Sequence, residues 1–124
     1  MSINKYRFLF IPALLFSIAP VFAHHAFTAE YDSSKTRQFV GTVTKVEWTN
    51  PHAFVYLDVK DEKGNEVEWE VEMMSLNHLR GYGWTRSTVK PGETISCTGG
   101  AAKSGAPSMI SSYMKLADGR MMKS

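Results

Sequence analysis

Alternating apolar and polar side chains predict a β-hairpin in the middle of the chain. Residues 53–60 (AFVYLDVK) place an apolar side chain at every second position, and residues 67–73 (VEWEVEM) repeat this pattern with three glutamates in between. Residues 61–65 (DEKGN) have the composition of a turn, so the two strands are expected to pair. Their apolar faces predict part of the core: Val55, Leu57, Val59, Val67, Trp69, Val71 and Met73.

Segments rich in β-branched and aromatic residues predict three further strands, at residues 38–48, 94–98 and 108–116. Residues 24–37 show no sustained period, and we interpret them as an N-terminal arm. Residues 75–81 predict a short helix after the third strand, with the first residue, a serine, as its cap and the last, a glycine, as its end.

The order of these elements predicts the fold class. Three strands, a short helix and two more strands follow each other in the five-stranded OB-type Greek-key barrel. Asp118-Gly119 is a strong turn signal, so residues 120–123 can fold back as a sixth strand. We therefore predict an all-β protein with one short helix, a small five- to six-stranded OB-like barrel. A plain small β-barrel or a sandwich is the alternative.

The beginning of the chain has the parts of a secretory signal peptide. Lys5 and Arg7 precede an apolar run at residues 8–18, and Val21 and Ala23 then occupy the two positions where the signal peptidase requires small side chains. The apolar run is shorter than the roughly 20 residues that span a bilayer, so no membrane span is expected after processing. Cleavage after Ala23 makes His24 the mature N-terminus and predicts a periplasmic protein.

The length and charge of the processed chain narrow the choice of partners. About a hundred residues suit one domain. Lys5 and Arg7 leave with the signal peptide, and the remaining basic and acidic residues are equal in number. A nucleic-acid partner is therefore not expected, because such binding needs an excess of cations. The predicted organisation is a signal peptide at residues 1–23, an arm at 24–37 and one OB-like domain at 38–124.

Several short motifs occur together in the chain: His24-His-Ala-Phe27 beside Tyr31-Asp32, Val46-Glu-Trp-Thr-Asn-Pro-His52, Gly83-Trp84, Lys90-Pro-Gly-Glu93 and Asp118-Gly-Arg120. In this combination, and over nearly the whole processed chain, the sequence resembles the DUF6152 family, an uncharacterised family of small exported bacterial proteins. The resemblance implies a periplasmic protein of a Gram-negative bacterium. It implies no activity, cofactor or partner.

The histidines are the candidate metal ligands. After cleavage, the amine and imidazole of His24 can chelate one metal ion, and His25 or His52 can add an imidazole in the manner of a copper brace. Nitrogen ligands of this kind suit Cu(II). The alternative interpretation is an exposed terminal arm that binds copper weakly. His78 is expected to be an ordinary surface residue of the predicted helix.

The candidate ligand surface combines the loop at residues 48–52, the loop at residues 103–107 and the outer face of the second strand. Its predicted ligand-binding residues are Trp48, Asn50, His52, Phe54 and Tyr56. An alternative for the loop is a tight turn in which Asn50 and His52 bind the local backbone. An alternative for the two aromatic residues is that Phe27 or Tyr31 of the arm covers them.

The sequence favours a binding protein over an enzyme. It contains no nucleophile elbow, zinc-protease motif, P-loop or cysteine pair. Cys97 is expected to be buried and inert. Glu68, Glu70 and Glu72 share one strand face, which we expect to be solvated, and an acid–base pair among them is the alternative. The first hypothesis is a binding or accessory protein for a small molecule, a metal ion or a periplasmic protein, and the second is a copper-binding protein.

Overall fold

The structure is a computed structural model that describes residues 30–124. Its elements are β1 (Tyr31–Glu47), β2 (Phe54–Lys60), β3 (Glu66–Glu72), α1 (Leu76–Gly81), β4 (Thr94–Ala102), β5 (Ser108–Lys115) and β6 (Met121–Lys123). No helix in this part of the chain is long and apolar enough to cross a membrane.

The six strands form one sheet that closes on itself. Their order is β3-β2-β1-β4-β5-β6, with each neighbouring pair antiparallel. The ring closes because β3 also pairs in parallel with β5, from Glu70 beside Ser108 to Glu72 beside Ile110. The mainly β, OB-like fold predicted from the order of elements is confirmed, including the short helix after the third strand. Residues 121–123 form the sixth strand, which the sequence left open.

The alternating strands supply the core at most of the predicted positions, whereas Val67 and Trp69 at the beginning of β3 are only half-buried. Val55, Leu57 and Val59 of β2 are buried, and Val71 of β3 is fully buried opposite Val55. The helix α1 adds two leucines to the same cluster, and β5, β6 and the residue after β3 add four methionines. The buried residues of this core are Val43, Ala53, Val55, Leu57, Val59, Val71, Met73, Leu76, Leu79, Trp84, Val89, Ile95, Cys97, Met109, Met114, Leu116 and Met122.

Strand β1 begins at Tyr31, seven residues before the predicted start at residue 38. The assignment of all of residues 24–37 to an arm was therefore wrong from Tyr31 onwards. Residues 33–38 are exposed, so their sequence carries no apolar period. They belong to the strand because their backbone pairs with β4, with an irregularity between Tyr31 and Thr36.

Two glycines lengthen β4 beyond its predicted end at residue 98. A Cβ at Gly99 would lie 1.9 Å from the carbonyl oxygen of Ile110, and one at Gly100 would lie 2.7 Å from that of Asp32. Only glycine lets the backbones of β1 and β5 approach β4 this closely. The segment that begins with these glycines, which lies beyond the end of the predicted strand, therefore continues β4 to Ala102.

Candidate functional site

His52 and Glu72 meet where the loop between β1 and β2 approaches the end of β3. The imidazole Nδ1 of His52 lies 2.8 Å from Oε1 of Glu72. The other carboxylate oxygen, Oε2, accepts a hydrogen bond of 2.8 Å from the Tyr31 hydroxyl, which also lies 3.3 Å from the hydroxyl of Ser108. Glu72 thus joins a loop histidine to the beginning of β1, and Tyr31 in turn contacts the beginning of β5.

Tyr31, Glu72 and His52 differ in how much of each is exposed to solvent. Tyr31 is 3% exposed and Glu72 is 8% exposed, whereas the side chain of His52 is 27% exposed. The prediction that all three glutamates of β3 lie on a solvated face was wrong for Glu72. The face is outside the apolar core, but the β1 residue Tyr31 and the loop residue His52 cover its last position.

The local backbone holds His52 in this place. The carbonyl of Ala53 accepts the N–H of Met73 at 2.9 Å, and the N–H of Ala53 donates to the carbonyl of Met74 at 3.3 Å, which extends the pairing of β2 and β3. The hydroxyl of Thr49 donates to the carbonyl of His52 at 3.2 Å. The loop, which contains a cis Asn50-Pro51 peptide bond, is therefore fixed on both sides of the imidazole.

Electrostatics keep the tyrosine of the group in its neutral form. Burial raises the pKa of the Tyr31 hydroxyl above its usual range, and the neighbouring Glu72 carboxylate raises it further. The hydroxyl therefore stays protonated and donates to the carboxylate. Both oxygens of Glu72 have a partner, which is what a largely buried carboxylate requires.

A pocket of about 340 Å³ opens beside the imidazole of His52. Its wall includes Met73 and Met74 at the end of β3 and His78 on α1. The Nδ1 atom of His78 lies 2.9 Å from the hydroxyl of Ser75. Both histidines of the described chain therefore face one pocket, although the sequence predicted no role for His78.

Asn50 has a structural partner. Its side-chain oxygen accepts the backbone N–H of Leu76 at 3.2 Å, at the start of α1. Ser75, the predicted cap, makes no capping bond with its side chain, and its hydroxyl contacts His78 instead. Gly81 is the last residue of the helix, and the positive φ of 88° that turns the chain away occurs at Gly83.

Trp48 is partly buried and packs against the core. Tyr56 is half-buried on the outer face, where Lys45 lies 5.2 Å from its ring centroid and its hydroxyl donates to Glu47 at 3.4 Å and Glu70 at 3.3 Å. The pKa of the Tyr56 hydroxyl is raised to about 12, mainly because the hydroxyl is removed from water and also because the Glu70 and Glu47 carboxylates lie beside it. These contacts already engage the ring and hydroxyl of Tyr56.

Phe54 is half-buried and pairs with Glu72, so it lies next to the histidine–carboxylate group. The structure thus brings Phe54 and His52 to one side of the sheet. The alternative that Phe27 covers these aromatic residues concerns a residue outside the described part of the chain. Tyr31, the other residue of that alternative, hydrogen-bonds to Glu72.

Of the predicted metal ligands, His52 is in the described structure, whereas His24 and His25 lie outside the described residues. Among residues 30–124, no group of three or more His, Cys, Asp or Glu side chains is arranged to hold a metal ion. Cys97 is buried, and its burial raises the pKa of the thiol to about 12. This agrees with the inert cysteine expected from the sequence.

Fold and site together define a small, OB-like β protein with a histidine–carboxylate pair beside a pocket. The chain matches the model of the DUF6152 family, described as a family of unknown function, over residues 13–110. This match covers most of the chain, and the protein belongs to that family. The matched segment includes Tyr31, His52, Glu72 and Ser108. No curated protein matches the chain.

Proposed function

We propose that the protein is an exported, periplasmic binding or accessory protein and that the pocket beside His52 is its ligand site. One observation carries this proposal: the imidazole is held by Glu72, whose other oxygen is held by the buried Tyr31. A fixed polar group in a pocket of about 340 Å³ with methionine and isoleucine walls has the features of a small-molecule site.

The contacts of Cys97 and Ser111 favour binding over catalysis by these two residues. Cys97 is buried in the core, where a thiolate is strongly disfavoured. Ser111 lines the pocket, but its hydroxyl is hydrogen-bonded to the hydroxyl of the buried Ser124 and to the carbonyl of Tyr113. Neither group is placed as an activated nucleophile beside His52.

Export is tested by expression of residues 1–124 in a Gram-negative host and intact-mass measurement of the periplasmic fraction. A product that begins at His24 is expected, because Ala23 ends the cleavage signal. A protein that keeps residues 1–23, or that stays in the cytoplasm, contradicts this part of the proposal.

Binding is tested by NMR of the ¹⁵N-labelled mature protein with three one-ring probes: benzylamine, benzyl alcohol and phenylacetate. At least one probe is expected to shift the signals of Met74, Ser75 and the His52 side chain together and saturably. His52→Ala should abolish the shifts. Asn65→Ala, in the turn at the far end of β2, is the matched control and should leave them unchanged.

The proposal fails if all three probes leave these signals unchanged. It also fails if His52→Ala and Asn65→Ala behave alike, because the imidazole would then have no part in the binding.

Copper is the second candidate ligand, and the contact of His52 with Glu72 specifically favours it. Histidines that bind metals usually engage their other ring nitrogen with a carboxylate or carbonyl, which fixes the ring. Here Glu72 engages Nδ1 of His52, and His78 lines the same pocket. Imidazole nitrogen suits Cu(II), which heads the divalent affinity order.

His24 and His25 remain the proposed further ligands of copper. Tyr31 is seven positions after His24, and a fully extended chain of seven residue steps spans at most about 25 Å. The Tyr31 hydroxyl lies 2.8 Å from Glu72, which in turn contacts His52. The segment is therefore long enough to bring the terminal amine and imidazole to His52.

The copper proposal is tested by titration of the mature protein with Cu(II), followed by electron paramagnetic resonance. Addition of one Ala before His24, and separately His52→Ala, should each weaken binding at least about tenfold and change the spectrum. Asn65→Ala should change neither. Equal affinity in all four proteins overturns the proposal.

A further inference from the structure

A second pocket, apart from the one at His52, lies where the turn between β2 and β3 meets the loop between β4 and β5. Its volume is about 400 Å³. The rings of Phe39 on β1 and Trp69 on β3 form one wall, with their centroids 4.0 Å apart and their planes inclined by 32°. Val59, Val67 and Pro107 add apolar lining beside the two rings. Three charged residues, Lys60, Asp61 and Glu62, also line the pocket, where β2 runs into the turn before β3.

The inward face of β3 explains why this pocket exists. Val67, Trp69, Val71 and Met73 point to the same side of the strand, and the last two are buried at 0% and 2% exposure. Val67 and Trp69 stay half-buried in the described part of the chain. The inward face of the sheet is therefore accessible at this end, and its accessible side chains are large and apolar.

A cationic cleft of about 250 Å³ adjoins this pocket, and Gly105 lines both. Within residues 30–124, Lys35, Arg37 and Lys103 line the cleft together with one acidic residue, Asp32. The hydroxyl and the backbone N–H of Ser34 both donate to Asp32, at 2.6 and 3.1 Å. Lys35 and Arg37 alone outnumber the carboxylate of Asp32 in this cleft, which favours an anion there, whereas Asp61 and Glu62 lie in the adjoining pocket.

The distance along β1 between the apolar pocket and the cationic cleft determines how large a ligand must be to contact both. Arg37 lines the cleft and Phe39 lines the apolar pocket, and they are two positions apart on one strand. Alternate residues of a strand point to the same side and are separated by about 7 Å. One small molecule can thus contact the aromatic wall and the cations together.

We propose that the pocket at Phe39 and Trp69 and the cleft at Lys35 and Arg37 form one binding site for a small aromatic anion. The aromatic body packs against Phe39 and Trp69, and the anionic group lies about 7 Å away beside Arg37. This site is independent of His52, so the proposal goes beyond the binding function described above.

The test uses the mature protein and a pair of fluorescent probes with the same aromatic framework. One is 8-anilinonaphthalene-1-sulfonate, which carries the anion, and the other is the uncharged N-phenyl-1-naphthylamine. Saturable binding with a stoichiometry of one is expected for the sulfonate. Arg37→Gln should weaken the sulfonate at least about fivefold and change the affinity for the uncharged probe less than about twofold.

Two further variants check the apolar part of the site and the control position. Phe39→Leu should weaken both probes, because it removes half of the aromatic wall. Arg86→Gln is the matched control, since Arg86 is exposed and lines neither pocket, and it should change neither affinity. Near-ultraviolet circular dichroism of each variant confirms that the fold is kept.

The proposal is overturned if the sulfonate does not bind saturably, or if Arg37→Gln and Arg86→Gln affect it equally. It is also overturned if His52→Ala abolishes sulfonate binding, because the probe would then occupy the pocket beside His52. If the sulfonate does not bind here but the one-ring probes still bind beside His52, only the present proposal fails and the proposed function stands. The two proposals can therefore be rejected independently.

Discussion

The carboxylate of Glu72 connects three parts of the chain through two short contacts. One oxygen lies 2.8 Å from His52, and the other accepts the Tyr31 hydroxyl at 2.8 Å. Glu68, on the same face of the same strand, is exposed and has one longer contact, of 3.3 Å with Thr44. Glu72 and Glu68 have the same side chain and face the same side of β3. We expect them to contribute differently to the free energy of unfolding, because their neighbours differ.

We expect Glu72→Ala to lower the free energy of unfolding by about 2–3 kcal/mol, because it removes both contacts and leaves a buried hydroxyl with one partner fewer. Glu68→Ala, the matched control, should cost less than about 0.5 kcal/mol. Urea unfolding of the two variants gives both values. Equal losses would show that the Glu72 contacts contribute little to stability.

The reactivity of the buried Cys97 thiol gives a second prediction about a single residue. With the pKa of its thiol raised to about 12 by burial, only about one thiol in ten thousand is ionised at pH 8. We expect alkylation by iodoacetamide at pH 8 to be at least about a thousandfold slower in the native protein than in urea. A native rate within tenfold of the unfolded rate would mean that the thiol is accessible.

The helix α1 depends on a residue from another element for its first turn. The side chain of Asn50 accepts the N–H of Leu76, a group that the first turn of a helix leaves without a partner. The same loop carries His52, and α1 carries His78. The capping contact therefore also joins the two sides of the pocket.

Asn50→Ala is expected to cost about 1 kcal/mol of stability, the usual loss on removal of a helix cap. Asn50→Asp keeps the acceptor oxygen and should retain most of the stability. Asn77→Ala, on the exposed side of the same helix, is the control and should have a smaller effect. Thermal unfolding monitored by circular dichroism ranks the three, and an equal effect of Asn50→Ala and Asn77→Ala would contradict the capping role.

The ring of strands depends on close backbone contacts on both sides of β4. Gly99 lies against β5 and Gly100 lies against the first residues of β1. Closure then follows from the parallel pairing of β3 with β5, which brings Glu72 next to Ile110. These contacts join residues that are distant in sequence and decide which faces of the sheet are covered.

Gly99→Ala should destabilise the whole molecule by more than about 3 kcal/mol or prevent folding, because the new methyl group would overlap the backbone of Ile110. Gly81→Ala is the control, since no heavy atom lies within 4 Å of its added Cβ. It should be neutral or slightly stabilising, because alanine favours helix. Urea unfolding compares them, and similar midpoints would show that β4 and β5 can separate without cost.

The sequence alone determined the features that depend on neighbouring residues. Alternation identified β2 and β3 and the buried faces of Val55, Leu57 and Val71, since side chains of a strand point to its two sides in turn. The turn at Asp118-Gly119 and the order of elements were enough to predict an OB-like fold with up to six strands. His52 was identified from its place in the loop between the first two strands.

Only the tertiary structure decided the features that depend on residues far apart in the chain. The start of β1 has exposed side chains, so its strand structure comes from backbone pairing with β4. Glu72 has the same alternation as Glu68, and it is buried because Tyr31 and His52 lie over it. A local pattern specifies which side of a strand a residue faces, but what covers that side is set by closure of the sheet.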